Sequence, residues 1–171
     1  KRRATRTLLN IIFNNLVRWF APSLVFTCEE AWKAIGNSSS IHLEDFLTLD
    51  KNFQNNELFN KWEKIKNIRR VITGALEKKR ADKTIGSSLE AHVNIYLSKD
   101  EKNQINDIDM AEVSITSSFL LISDKEPSSA FSIDEIKNIA VEVIQAPGSK
   151  CNRCWKFDTN INVNGICLRC E

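Results

Sequence analysis

From Thr5 to Phe20 the apolar residues Leu9, Ile12, Phe13, Leu16 and Phe20 recur at the spacing of one helical face, with Arg3, Arg6, Asn10 and Asn14 off it. This predicts a helix that buries that stripe and ends before Pro22. Thr27 and Glu30, three apart, form a capping box for a short helix running to Ile35 and stopped at Gly36. Cys28 and Trp32, four apart, share its buried face, and Cys28 carries no chemistry. Asn37 to Ser40 is a loop, and Ile41 to Asp50 an irregular crossing in which His42, without a second ligand at useful spacing, is surface or packing. A long helix over 55–79 has a seam of Leu58, Trp62, Ile65, Ile72 and Leu76, interrupted by Arg69 and flanked by Ile68.

After Gly86 and the serines that turn the chain out of that helix, the period changes to two. Ala91, Val93, Ile95 and Leu97 alternate with His92, Asn94 and Tyr96, which predicts a half-buried strand. Ser98 and Glu101 cap a short helix reaching about Ala111; 113–122 and 139–145 read as further strands, with a polar turn over 125–129. The fold class expected is α+β: an amino-terminal helical bundle segment over 1–82, a small mixed α+β module over 83–147 and a four-cysteine zinc knuckle over 148–171. No apolar run approaches the roughly 20 residues of a membrane helix, so the expectation is a cytoplasmic protein with no membrane partner. The opening Lys1-Arg2-Arg3, already in helical pattern and without methionine, suggests a piece of a longer polypeptide with any catalytic domain upstream.

The net charge of +2 conceals an uneven distribution. Residues 1–18 carry five cations and no acid, and residues 61–83 carry nine against three. The knuckle carries four against two, whereas 84–149 carry four against eleven. Basic segments alternating with acidic ones mark a polyanion-binding face, or else solvated helix faces. Candidate phosphate contacts are Arg2, Arg3 and Arg6, then Arg69, Arg70, Lys78, Lys79, Arg80 and Lys83. On a helix rising 1.5 Å per residue the central cations could line a strip on the order of 15 Å long.

The most specific chemistry lies at the carboxyl end. Cys151 and Cys154 form one C-x-x-C pair and Cys167 and Cys170 another, twelve residues apart. Two such pairs suit four thiolates around one structural Zn²⁺, a closed shell without a position for substrate water. So short a segment buries too little apolar surface to fold alone. A redox pair would need a flanking βαβ pattern, ferredoxin clusters use other spacings, and Cys28 lacks a partner for a disulfide framework. Arg153 and Arg169 each precede the second cysteine of a pair, and Trp155 follows Cys154. The arginines relieve the negative charge of a four-thiolate site, or Arg153 and Trp155 face outward to hold unstacked bases.

The stretches R-W-F-A-P-S-L-V-F-T-C-E-E-A-W, R-A-D-K-T-I-G-S-S-L-E-A-H-V, K-C-N-R-C-W and C-L-R-C resemble the carboxyl-terminal region of the isoleucyl-tRNA synthetases of bacterial or organellar type. The first is similar to the anticodon-binding helical domain shared by several class I synthetases; the others point to the isoleucine enzyme. The resemblance implies that the helical segment grips the anticodon stem of an isoleucine tRNA and that the zinc module reaches the loop. It also implies that ATP, isoleucine and editing belong to upstream domains of a monomeric ligase. His-Ile-Gly-His and Lys-Met-Ser-Lys-Ser, the signatures of a class I catalytic fold, are absent, so no catalytic residue is expected here. Matched by position, the zinc ligands are Cys151, Cys154, Cys167 and Cys170, and the loop contacts Arg153 and Trp155. Many relatives in the family continue past the second knuckle, so no contacts of a longer tail are assigned here. Two other classes stay open: a zinc-stabilised DNA-binding module, and a structural or protein-interaction tail stapled by zinc.

Overall fold

A computed structural model describes residues 2–171, of Asn52 the backbone alone, so Lys1 of the amino-terminal basic run lies outside the described residues. The chain forms two compact units, the first ending at Gln54 and the second running from Asn55 to Glu171. Among the described residues no helix is long and apolar enough to cross a membrane.

In the first unit, helices α1 (Arg2–Phe20) and α2 (Val25–Ala34) and a 3₁₀ turn at Ile41–Leu43 enclose Val17, Ala21, Cys28, Trp32 and Ile41. The face that α1 buries differs from the expected one. Leu9, Ile12, Leu16 and Phe20 are exposed, and of the expected stripe Phe13 alone packs inward. Asn15, Val17 and Arg18 are buried instead. Partners explain the polar ones: Asn15 Nδ2 donates to the Ile11 carbonyl at 2.8 Å, and Arg18 meets Glu44 at 3.2 Å. Burial of a polar group is tolerable once such bonds replace water. Thr27 and Glu30 do not cap α2, which starts at Val25 after an uncapped Leu24. The 3₁₀ turn is capped by Ser40, whose Oγ accepts the His42 N–H at 3.3 Å and donates to Glu29 at 2.8 Å, and Glu29 also accepts from the Ile41 N–H at 3.0 Å.

In the second unit α3 (Asn56–Ala81) starts at Asn55, whose side chain accepts the Leu58 N–H, and lies across a four-stranded sheet. Strands β1 (Ala91–Tyr96), β2 (Ser118–Ile122), β3 (Phe131–Ile133) and β4 (Ile136–Gln145) take the order β2-β1-β4-β3. Only β1 and β2 are parallel, joined through α4 (Lys99–Ile105) and α5 (Met110–Ser114). The alternation expected in β1 holds, with Ala91, Val93, Ile95 and Leu97 buried. These meet Ile65, Ile68, Val71, Ile72, Ala75 and Leu76 from α3. Ile68 is therefore central to the seam, while Leu58 and Trp62 stay exposed. The helix expected to reach Ala111 is two: Ser98 and Glu101 complete a capping box on α4, and Asp109 caps α5 by accepting from the Ala111 and Glu112 N–H groups. Val113 and Ser114 thus belong to α5, Ile115 ends it in a left-handed conformation at φ 57°, and the strand begins at Ser118.

The start of β1, the start of β2 and the end of β4 lie together. Ala91 pairs with Gln145 and His92 with Ser118, and the Ala146 N–H donates to the Glu90 carbonyl at 2.7 Å. The chain leaves β4 at this end of the sheet and enters the cysteine module.

Candidate metal centre and nucleic-acid interface

The module opens with β5 (Ser149–Lys150) paired antiparallel to β6 (Phe157–Asp158). Gly148, at φ +93°, makes the entry: a Cβ there would stand 2.1 Å from the Asp158 carbonyl oxygen. Between the two strands, Cys151 to Cys154 turn back on themselves, the Trp155 N–H donating to the Cys151 carbonyl and the Cys151 N–H to the Lys156 carbonyl, both at 2.9 Å. Trp155 takes a left-handed backbone, φ 66°. The second knuckle repeats the turn, with the Cys170 N–H on the Cys167 carbonyl at 2.8 Å. Asn162 closes the intervening loop by accepting from the Asn164 and Ile166 N–H groups, each at 3.0 Å.

These turns bring the sulfurs of Cys151, Cys154, Cys167 and Cys170 within 4.8 Å of one another. Cys154 and Cys167 are 3.7 Å apart at Sγ. Thiolates about 2.3 Å from a tetrahedral zinc would be separated by about 3.8 Å, so the set fits such an ion. The thiols are unequal. N–H groups of Cys154, Cys167 and Arg153 hold the Cys151 thiol down at about 6, against the effect of burial. Cys170 is pushed up to about 12, first by burial and then by hydrogen bonds to the other three sulfurs and the charge of Cys151. A bound dication is what allows all four to ionise together.

The flanking residues divide. Arg153 donates to the Cys170 carbonyl at 2.8 Å and so ties one knuckle to the other. Arg169 reaches Glu112 on α5 at 3.5 Å. Trp155 is 60% exposed, and Lys150 Nζ lies 5.4 Å from its ring centroid. A cation over an indole leaves the ring's opposite face for another partner. Lys150, next to Cys151, belongs to this surface although the sequence reading passed over it.

The α3 cations do not form one line. At about 100° per residue, Arg69 and Arg80 share a flank, Lys78 falls on the opposite flank and Lys79 turns toward the sheet. Lys78 and Lys79 line a recess of about 170 Å³ with Ala75, Phe131 and Val143. Arg70 pairs with Glu135 at 3.0 Å, and Arg80 with Glu77 on its own helix. Lys83 follows the helix, exposed and at φ 56°. Arg2, Arg3 and Arg6 are exposed in the first turns of α1.

Residues 1–95 match the family model described as the anticodon-binding domain of tRNA ligase. The chain belongs to that family. Over 163 residues this anticodon-binding chain is 40% identical to the isoleucine–tRNA ligase of Bartonella henselae, covering 94% of the chain and 17% of the relative. It is 39% identical over 166 residues to the isoleucine–tRNA ligase of Brucella abortus, and 40% over 163 residues to that of Bradyrhizobium diazoefficiens. The anticodon-binding chain thus spans about 17% of the length of the first two relatives and 16% of the third.

Proposed function

We propose that this chain is the anticodon stem-loop recognition region of an isoleucine–tRNA ligase, acting on isoleucine tRNA and not itself catalytic. The similarity that carries the reading covers 94% of the chain, well past the residues matched by the family model. Isoleucine, ATP and editing then belong to other domains of one monomeric cytoplasmic polypeptide. Functionally the chain divides as 1–82 for the stem, 83–147 as junction and 148–171 for the loop.

Two physical parts make up the mechanism. Arg2, Arg3 and Arg6, with Arg69, Arg70, Lys78, Arg80 and Lys83, neutralise stem phosphates and set orientation without reading sequence, while Lys79, turned toward the sheet, takes no part. Trp155 then stacks on an unpaired loop base, an interaction worth about 1 to 3 kcal/mol, and Arg153 presents the rest of its guanidinium beside it. Zn²⁺ held by Cys151, Cys154, Cys167 and Cys170 supplies folding free energy to the module, roughly 10 to 16 kcal/mol for such sites.

Equilibrium binding of the zinc-loaded chain to an isoleucine tRNA transcript, and to the same transcript with its anticodon replaced, tests this at two salt concentrations. The expected result is a loss of affinity of about 1 kcal/mol or more on replacement, with salt-sensitive residual binding. Equal affinities would remove Trp155 and Arg153 as readers. They would favour a second reading, a zinc staple without base contact, which the internal bonds of Arg153 and Arg169 support.

A further inference from the structure

The cysteine module follows the sheet through Ala146, Pro147 and Gly148, and one side chain fixes how it sits there. Ser117 Oγ accepts the Phe157 N–H at 2.7 Å and donates its own proton to the Leu89 carbonyl. The Ser117 N–H donates in turn to the Ala91 carbonyl at 3.1 Å. Phe157 is three residues beyond Cys154 and two beyond Trp155, so the hydroxyl joins the metal loop to the start of β1. Its own backbone is held firmly, because Thr116 before it is fully buried and Ser118 after it pairs with His92 in the sheet. A second polar tie among the described residues, Arg169 to Glu112, joins two side chains that are 63% and 59% exposed. Such surface pairs contribute little.

We infer that Ser117 is a positioning residue for base recognition: by accepting from Phe157 and donating to Leu89 it sets the attitude of the knuckle, and so of Trp155, against the sheet. The inference rests on the reading above that the knuckle contacts the anticodon loop. The chemistry calls for one atom that both accepts and donates at short range, which a hydroxyl supplies and a methyl group does not. Alanine leaves the Phe157 N–H without its acceptor, while threonine keeps the hydroxyl. Phosphate contacts on α1 and α3 do not pass through Ser117, so affinity for the stem and its salt dependence are independent of it.

The experiment compares the zinc-loaded 171-residue parent with Ser117→Ala and Ser117→Thr. Hydrogen exchange of the Phe157 amide should quicken by roughly tenfold in Ser117→Ala and return toward the parent rate in Ser117→Thr. Cobalt titration of the metal-free proteins, read by the thiolate charge-transfer band, should give a metal affinity within about twofold of the parent in both, because no sulfur ligand is touched. The ratio of affinities for the isoleucine transcript and its anticodon-replaced form should fall about fivefold in Ser117→Ala at unchanged salt slope, and recover in Ser117→Thr. A parent that discriminates alongside a Ser117→Ala variant that discriminates equally well overturns the positioning role and leaves the loop-contact reading standing. Cobalt affinity falling together with discrimination also overturns it, making Ser117 a part of the module's folding. A parent that does not discriminate overturns the loop-contact reading, and this inference with it.

Discussion

The Arg18 guanidinium carbon lies 4.6 Å from the centroid of the Trp32 ring, and the Arg18 side chain is only 8% exposed. Its terminal nitrogens meet Glu44 at 3.2 Å and the Asn14 carbonyl at 2.8 Å. One side chain therefore joins α1, α2 and the segment after the 3₁₀ turn. Replacing it by alanine removes the packing on Trp32 and leaves Glu44 without its cation. Arg18→Ala should destabilise the first unit by about 2 to 3 kcal/mol, below the cost of breaking a fully buried pair because Glu44 keeps partial access to water. Arg18→Lys should recover less than half of this, since an ammonium cannot stack and fork at once. Urea unfolding followed by the indole N–H resonance of Trp32 checks both values.

Gly148 tests the entry to the metal module. With φ at +93° and the Asp158 carbonyl oxygen 2.1 Å from any added Cβ, Gly148→Ala cannot be relieved by moving a flexible side chain. The β5–β6 pairing must open. The expected loss is about 2 kcal/mol or more of module stability, seen as weakened metal affinity in a competition titration against a chromophoric chelator. Gly36 also has a positive φ, +94°, but nothing lies within 4 Å of its added Cβ, so Gly36→Ala should show backbone strain alone and leave metal affinity unchanged.

The cysteine spacing and the period-two alternation were legible in the sequence because each is local. Two residues between thiols fix a turn, and Val93 and Ile95 show their face by position alone. What could not be read depends on partners distant along the chain. Arg18 looks like part of a polar face until Glu44 and Trp32 are placed beside it, so the apolar pattern of α1 alone predicts a different buried side. Thr27 and Glu30 satisfy a pattern, but no local signal shows that the helix starts three residues earlier, after Leu24. Ser117 gave no warning, being one of several serines in a polar run, and its role appears only when the sheet brings Leu89 and Phe157 to it. The number of cations on α3 is plain in the sequence, but only the rotation of the helix separates Lys79 from Arg69 and Arg80.

Glu29 gives a dependence on pH. The Ser40 hydroxyl chiefly, with Lys33 and the Ile41 N–H, holds its carboxyl below the ordinary value of 4.5, against a smaller opposing effect of burial. A carboxyl whose pKa is depressed on folding contributes stability that is complete above its unfolded pKa and is lost as pH falls through the folded one. The first unit should therefore weaken as pH drops below about 4.5, and Glu29→Gln should flatten that part of the profile. Thermal unfolding of parent and variant at a series of acidic pH values checks the sign. A profile equally steep in Glu29→Gln would assign the acid loss to other carboxylates.

The rotation of α3 makes the salt dependence of RNA binding divisible. Each phosphate neutralised contributes about −0.7 to −0.9 to the slope of log affinity against log salt. Arg69 and Arg80 share one flank, so Arg69→Glu with Arg80→Glu should flatten the slope by about 1.4 to 1.8 if that flank follows the stem. Lys79 turns toward the sheet, and Lys79→Gln should leave the slope unchanged. Lys78 lies on the far flank and decides the breadth of the contact: a slope flattened by Lys78→Glu as well requires a backbone that wraps α3, and an unaltered one confines the phosphates to the Arg69 side. Arg70 is partly neutralised by Glu135 at 3.0 Å, so Glu135→Gln should steepen the slope if Arg70 faces RNA. Filter binding of one transcript at four or more salt concentrations gives every slope, and equal slopes across the set would assign all these cations to solvent.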